Sequence, residues 1–334
     1  MRVFITGGTG LIGRRLTERL IGRGDTPVLL SRHADSARRN PKLRGVQVLQ
    51  GDPAHAGPWD AGVDGCDAVV NLAGHNLFAD RWSPEVKRTI RDSRVYGTEN
   101  VVAAMAQATV KPKVLVQASA IGYYGPTDDQ ELTESSPPGS DFMARVCREW
   151  EEAAAPAASF ARLATIRTGV VLAKGEGALK VMTPIFKLMG SPIGGTHSAL
   201  VPGTGRQWMS WIHLDDIVGL MLLALDNAEA KGPINGTAPN PVRNVDFGKA
   251  LAKQFHRPFF PFGPPDLLLN AGLGEVAQVV TKGQKVLPKR AQELGYTFKF
   301  PELAGALANL FAKPPKNEKA ARPAPSHAAP TAHH

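Results

Sequence analysis

Cysteine is scarce in this chain, and long apolar runs are missing from it. Only Cys66 and Cys147 occur among the 334 residues, which excludes a disulfide framework and a cysteine-rich metal site. No apolar run approaches the ~20 residues that a membrane-spanning helix needs. A secretory pattern is also absent, because the apolar run Val3–Ile5 is short and is followed by glycines. We therefore expect a cytoplasmic protein with no metal site and no membrane contact.

Acidic residues are outnumbered by basic ones, and the formal net charge is +9. About three of these charges lie in the proline- and alanine-rich tail, and many others lie between Arg14 and Arg44. No basic stripe is interleaved with aromatic residues, as nucleic-acid binding would favour. The charge pattern predicts an anionic small molecule as ligand rather than nucleic acid, for a protein that is a monomer or a homodimer.

The first twenty residues carry the most informative pattern. The apolar run Val3–Ile5 is typical of a buried parallel strand, and the apolar residues of Leu11–Leu20 fall on one face of a helix. Four glycines lie in or next to the turn between them: Gly7, Gly8, Gly10 and Gly13. Glycines of this kind allow a tight turn, a close approach of pyrophosphate and close helix–strand packing. The pattern predicts a dinucleotide-binding turn, the alternative being a glycine-rich turn that binds nothing.

The end of the second predicted strand bears on the type of cofactor. NAD-binding folds commonly place an acidic residue there, whereas this chain has Ser31 and Arg32. A guanidinium group suits the 2′-phosphate of NADP(H), which a carboxylate would repel. The sequence thus predicts NADP(H), unless Arg32 is simply a solvated surface side chain.

Further polar and small residues follow the other predicted strands. Asp52 follows the third strand and could bind the adenine amino group, and a turn of small residues ends the fourth strand, where a nicotinamide ribose could approach the backbone. The residues that we expect to contact the cofactor are Thr6, Gly7, Gly8, Gly10, Leu11, Ile12, Gly13, Ser31, Arg32, Asp52, Asn71, Leu72, Ala73, Gly74, Asn100 and Arg167.

Several motifs, taken together, resemble those of one protein family. They are TGGTGLIG from Thr6, NLAG from Asn71, ASAIGYYG from Ala118, IRTGVVL from Ile166, WMSWIHLDDIV from Trp208 and GEVAQVVTKGQKVLPKRAQELGYTF from Gly274. The chain resembles the atypical extended short-chain dehydrogenases/reductases, and more closely the YfcH-like "epimerase family proteins" of the NAD-dependent epimerase/dehydratase superfamily, from Met1 to about Phe311. The resemblance implies a nucleotide-binding oxidoreductase or epimerase, with Ser119 as the family serine and Asn100 as the structural asparagine.

The chain departs from that family in its acid–base residues. Most members use a tyrosine followed four residues later by a lysine, which lowers the tyrosine pKa. None of the four tyrosines here is followed by lysine at that spacing. The candidate catalytic residues are therefore Ser119, Tyr123 and Tyr124; alternatively, the two tyrosines only form the pocket wall. A non-catalytic protein that senses NADP(H) is the second hypothesis.

The fold class that we expect is α/β, a doubly wound and mostly parallel Rossmann sheet with a smaller C-terminal substrate lobe. The Rossmann domain is predicted over 1–167, with 206–229 returning to it. The substrate lid and lobe are predicted over 168–205 and 230–312, and a disordered tail over 313–334. His213, at a strand–helix junction, either contacts substrate or orients the adjacent aspartates.

Overall fold

A computed structural model of the protein describes residues 1–177, 179–180, 205–256, 259, 275 and 282–312. The predicted tail and almost all of the lid region Thr183–Gly205 lie outside these residues. The strands are β1 (Arg2–Thr6), β2 (Thr26–Ser31), β3 (Gln47–Gln50), β4 (Ala68–Asn71), β5 (Val114–Ala120), β6 (Glu131–Leu132), β7 (Arg162–Thr168), β8 (Val170–Ala173), β9 (Trp208–Met209), β10 (Trp211–His213), β11 (Gly232–Gly236), β12 (Val242–Arg243) and β13 (Lys285–Val286).

The helices of the described residues alternate with the long strands. They are α1 (Leu11–Gly22), α2 (Ala34–Arg38), α3 (Pro84–Gln107), α4 (Phe142–Ala154), α5 (Leu214–Asp226), α6 (Asn244–Gln254), α7 (Lys289–Glu293) and α8 (Leu303–Phe311). Side chains cap two of the helices that border the site: Ser83 accepts from the N–H of Val86 in α3, and Asp141 accepts from that of Ala144 in α4. None of these helices is both long and apolar enough to cross a membrane.

Seven strands form the central sheet in the order β11-β7-β5-β4-β1-β2-β3, and all of its pairings are parallel. The order reverses between β1 and β4, as in a doubly wound Rossmann sheet, which confirms the predicted fold class. One apolar core lies between the sheet and the helices α1 and α5, and a second lies on the α3 face. The carboxyl ends of the strands therefore meet at one edge, where such folds bind ligands.

A smaller apolar cluster lies beside this sheet. It contains Trp211 together with residues of α6 and α8, such as Phe247 and Leu307. In the described part of the chain, β10 pairs with β8 and β12 with β9 beside this cluster, while β13 pairs with β6 near Ile121 and Tyr124. Asp216 of α5 is fully buried, and its carboxylate accepts hydrogen bonds from the backbone N–H groups of Lys299 and Phe300. These bonds fix the C-terminal segment to α5.

One strand of the central sheet comes from an unexpected part of the chain. The sequence assigned 230–312 to the lobe, whereas β11 pairs in parallel with β7 from Gly232↔Ala164 to Gly236↔Thr168. This short strand contains two glycines and a proline, so its composition does not indicate a strand. Its pairing with β7 is a tertiary effect, because the apolar face of α5 brings the chain back onto the sheet.

Candidate functional site

Two glycines at the junction of β1 and α1 occupy positions that have no room for a side chain. Gly7 has a φ of +65°, and a Cβ placed on it would lie 2.8 Å from the backbone of Leu72. A Cβ on Gly13 would lie 2.3 Å from the carbonyl oxygen of Gly7. Helix α1 begins after Gly10 with no side chain capping it and with no acidic residue in its first turn. This N-terminus is therefore open to an anion, which its N–H groups and dipole favour.

Thr6 and Asn71 lie behind this turn in a buried hydrogen-bond network. The Thr6 hydroxyl donates to Asn71 Oδ1 over 2.5 Å and accepts from the backbone N–H groups of Leu72 and Ala73. The amide of Asn71 in turn donates to the Thr98 hydroxyl over 2.9 Å. Both side chains are thus committed inside the sheet, and they hold the end of β4 against the glycine turn.

Basic and hydroxyl side chains surround a cavity beyond the end of β2. The cavity measures about 580 Å³. It is lined by Arg32, His33, Ala34, Asp35, Ser36, Arg38, Arg39 and Gln50. A neighbouring cavity of about 240 Å³ shares His33 and Ser36 with it and extends to Thr9 and Arg14. Together the two cavities run from the glycine turn to Arg32, and their chemistry suits a phosphate.

Arg32 is well placed to meet a ligand in this cavity. Its side chain is 64% exposed, and its Nη1 lies 4.0 Å from a carboxylate oxygen of Asp52. The other oxygen of Asp52 accepts a hydrogen bond from the N–H of Ala54. Asn100 donates to the carbonyl of Pro53 over 2.9 Å, and it thereby fixes the loop that carries Asp52. The structure thus gives Asn100 a positioning role, while its contact with a cofactor stays a prediction.

Ser119 lies at the end of β5 in contact with a buried ion pair. Its hydroxyl donates to Glu151 Oε1 over 2.7 Å. Arg167 donates two hydrogen bonds of 2.8 Å to the same carboxylate, from its Nε and Nη2. Only 4% of the Arg167 side chain and 17% of the Glu151 side chain are exposed. The guanidinium of Arg167, expected to face the cofactor, is therefore committed to a carboxylate within the protein.

The two adjacent tyrosines differ in their surroundings. Tyr124 is buried, and its hydroxyl donates to Asn235 Oδ1 over 2.7 Å while it accepts from Arg167 Nη1 over 3.0 Å. Burial raises the pKa of Tyr124 to about 12, which makes it a poor acid. Tyr123 is half-buried, and its ring lies 3.5 Å from the Arg167 guanidinium. Of the two, Tyr123 is therefore the better candidate for contact with a substrate.

Glu151 and Asn235 were not among the site residues predicted from the sequence. Glu151 lies in an ordinary charged helical stretch, and Asn235 lies in the unexpected strand β11. Neither residue has a local signal, since Glu151 gains its role only when α4 packs beside β5 and β7, and Asn235 only when β11 pairs with β7. The same alignment places a cation, Arg167, against both tyrosines, although no lysine follows them in the sequence.

His213 ends β10 and caps α5. Its Nδ1 accepts a hydrogen bond from the N–H of Asp215 over 3.0 Å, and its ring lies 3.9 Å from that of Phe300. Burial lowers the pKa of His213, so its neutral form is favoured. Of the two sequence hypotheses, this geometry agrees with a residue that organises the start of α5. Within the described ranges, no cluster of three or more histidine, cysteine or acidic residues is arranged to hold a metal.

Comparison with known proteins identifies relatives along most of the chain. The profile of the NAD dependent epimerase/dehydratase family matches residues 3–235, and that of a domain of unknown function (DUF1731) matches residues 264–310. The "Epimerase family protein SDR39U1 homolog, chloroplastic" of Arabidopsis thaliana is 44% identical over 92% of this chain and 86% of its own. The epimerase family protein YfhF of Bacillus subtilis is 37% identical over 93% of this chain and 98% of its own.

Solved structures agree with these matches. The crystal structure of the human epimerase family protein SDR39U1 (isoform2) with NADPH superposes with a TM-score of 0.80 and 33% identity, and the match covers 93% of this chain and 99% of that one. A UDP-glucose 4-epimerase of Thermotoga maritima, with a TM-score of 0.74 over 92% of this chain and 96% of its own, is only 18% identical and shares the fold alone. The glycine turn, the sheet order and the matched length all lead to one assignment: this chain belongs to the NAD dependent epimerase/dehydratase family.

Proposed function

We propose that this protein binds NADP(H) and acts as an oxidoreductase or epimerase on a small molecule. The observation that carries the proposal is the open path from the glycine turn to the basic cavity at Arg32. The pyrophosphate would lie at the N-terminus of α1, and the 2′-phosphate would lie among Arg32, Ser36 and their neighbours. The NADPH in the human relative's structure supports the same cofactor.

The residues of the site fit such a dinucleotide. A side chain on Gly7 or Gly13 would collide with backbone, so both positions are shaped for a close turn. The second cavity continues past Thr9 and Arg14 without any acidic lining residue, and the first includes only one, Asp35. When bound, NADP(H) supplies or accepts a hydride, and the protein must then hold the substrate and manage its proton.

Tyr123 is our candidate for the residue that meets the substrate proton. Ser119 already donates its only hydroxyl hydrogen to Glu151, and the Tyr124 hydroxyl is satisfied on both sides. Tyr123 is half-buried, its ring lies 3.5 Å from the Arg167 guanidinium, and that guanidinium is itself paired with Glu151. Ser119 and Tyr124 then serve to position Arg167 and, through it, the ring of Tyr123.

The internal engagement of Ser119 also favours the second candidate function, a protein that senses NADP(H) without chemistry. The two functions are separated by hydride transfer from deuterium-labelled NADPH to a panel of small carbonyl compounds. Deuterium transfer supports the enzyme if its rate falls at least tenfold in Tyr123→Phe. Tight binding of NADPH with no transfer to any compound supports the sensor.

The cofactor preference is tested by changing Arg32. We expect the unmodified protein to bind NADPH more tightly than NADH, because a guanidinium pairs with the 2′-phosphate. Loss of such a charge-assisted bond costs about 1.5–3 kcal/mol, so Arg32→Ala should lower the affinity for NADPH by roughly one to two decades. The affinity for NADH should change little in the same titration. Arg44→Ala, which removes an exposed arginine outside the two cavities, is the control. Equal affinities of the unmodified protein for both nucleotides would contradict the proposal.

A further inference from the structure

Arg94 is the charged residue of this edge of the sheet that the proposed function leaves without a role. It lies in the middle of α3 and reaches the turn that follows β4. Its Nη1 donates to the carbonyl of Ile90 over 2.9 Å, and its Nη2 donates to that of His75 over 3.1 Å. These bonds hold the guanidinium in place, and within the described ranges its other N–H groups make no further hydrogen bond.

Among the residues that the structure describes, Arg94 also differs from its neighbours in having no counter-ion. Arg88 of the same helix pairs with Glu85, and Arg91 pairs with Glu149 and Asp92. Within the described part of the chain, Arg94 forms no ion pair, and its charge faces two carbonyls and the ring of Trp150 at 5.1 Å. Arg94 is half-buried, and burial lowers its pKa because the positive charge loses hydration. A cation held in this way is costly unless it meets an anion.

At the strand end, the guanidinium of Arg94 packs closely against Gly74. Gly74 is exposed, and a Cβ placed on it would lie 3.2 Å from Cζ of Arg94 and 3.3 Å from its Nη2. Gly74 follows Leu72 and Ala73, which contact the glycine turn at Gly7. The guanidinium therefore lies next to the place where a ligand leaves the turn and crosses the ends of β4 and β5.

We propose that Arg94 binds an anionic oxygen of the ligand at the carboxyl ends of β4 and β5. The proposal rests on the proposed function, since it extends the same site beyond the glycine turn. The oxygen has two possible sources: the phosphate on the nicotinamide side of the dinucleotide, or a carboxylate of the second substrate. A planar fork with free N–H groups suits either source.

The experiment compares two nucleotides on four proteins. NADPH carries the nicotinamide half, and 2′,5′-ADP reproduces only the adenosine half with its 2′-phosphate. Both are titrated onto the unmodified protein, Arg94→Met, Arg94→Lys and the control Arg88→Met, which removes an exposed, paired arginine of the same helix. We expect Arg94→Met to weaken NADPH at least tenfold and 2′,5′-ADP less than twofold. The NADPH affinity of Arg94→Lys should lie between those of Arg94→Met and the unmodified protein. The affinities of Arg88→Met should match those of the unmodified protein.

A second measurement identifies the other source of the oxygen. Oxalate is titrated onto each protein saturated with NADP⁺ and followed by tryptophan fluorescence, because Trp150 contacts Arg94. Loss of oxalate binding in Arg94→Met with unchanged NADPH affinity assigns the oxygen to the second substrate.

Two results would overturn the role of Arg94. One is unchanged binding of NADPH, 2′,5′-ADP and oxalate in a folded Arg94→Met. The other is an equal loss of affinity for both nucleotides in Arg94→Met, together with a lowered Tm that Arg94→Lys restores. That combination would show that Arg94 has a structural role. If the unmodified protein binds neither nucleotide, the proposed function fails, and oxalate titrated onto the protein without nucleotide then decides Arg94 by itself.

Discussion

Three guanidinium groups near the strand ends show how one residue type takes different roles. Arg32 is mostly exposed at the end of β2, and Arg167 is buried in a two-bond contact with Glu151. Among the described residues, Arg94 contacts two backbone carbonyls and the ring of Trp150. The partner, rather than the side chain, decides which of them can meet a ligand.

The ion pair between Glu151 and Arg167 gives a prediction at this scale. Glu151→Gln removes the carboxylate charge and leaves a guanidinium buried without a counter-ion, which costs about 3–5 kcal/mol. We expect the free energy of unfolding, measured in urea, to fall by about 3 kcal/mol. Glu152→Gln is the matched control, since its carboxylate is exposed and lies 3.7 Å from Arg148. A loss in Glu151→Gln no larger than that of the control would show that the buried pair does not stabilise the fold.

The element on which the site depends most is the unit of β1, the glycine turn and α1. It brings the N-terminus of a helix of 12 residues to the edge of the sheet. Leu16 and Leu20 of α1 are fully buried against that sheet, so the helix position is fixed by packing as well as by the turn.

Two glycines of α1 allow a matched test of this packing. Gly13→Ala would place a Cβ 2.3 Å from the carbonyl oxygen of Gly7 and 2.6 Å from Cα of Gly8. Because both contacts are backbone, the helix must move, and we expect a loss of about 2 kcal/mol in stability with weaker NADPH binding. Gly22→Ala has open space around its Cβ and should stabilise by up to about 1 kcal/mol. Equal melting temperatures for the two variants would contradict the close packing at Gly13.

The whole molecule is joined along α5, which links the sheet to the C-terminal segment. Its apolar face packs in the core that it shares with α1, and Asp216 binds the backbone of Lys299 and Phe300. His213 lies at the start of this helix, between Asp215 and Asp216 on its own side and Arg15 from α1. The protonation of His213 therefore affects the junction between the central sheet and the C-terminal segment.

This junction predicts a pH dependence of stability. Burial lowers the pKa of His213 in the folded protein, whereas the unfolded chain takes up a proton near pH 6.5. The stability that the neutral His213 contributes is thus present above about pH 6.5 and is lost progressively as the pH falls from there through the lowered pKa of the folded protein. We expect His213→Asn to flatten this fall, because asparagine keeps a helix-capping oxygen and does not titrate.

The measurement is the free energy of unfolding in urea at pH 7.5 and at pH 5.5 for both proteins. Asp215 does not confuse the comparison: although burial acts to raise its pKa, the bond to Arg15 lowers it overall, and so it titrates at more acidic pH. The same loss of stability between the two pH values in both proteins would exclude His213 as the cause.

The sequence determined the parts of this protein whose signals are local. The strand, glycine turn and helix of the first twenty residues are adjacent in the chain, and their glycines and apolar spacing specify the turn by themselves. Local signals also mark the starts of α3 and α5, where Ser83 caps α3 and Asp215 and Asp216 lie in the first turn of α5.

The tertiary structure decided the contacts between residues far apart in the chain. It placed β11 in the sheet, Glu151 on Ser119, Arg167 on both tyrosines and Arg94 beside Gly74. Side chains on separate elements meet only when strand register and helix packing are fixed, and no spacing along the sequence encodes such a meeting. For that reason the sequence could show that no tyrosine is followed four residues later by a lysine. Only the fold could show which cations lie near the tyrosines.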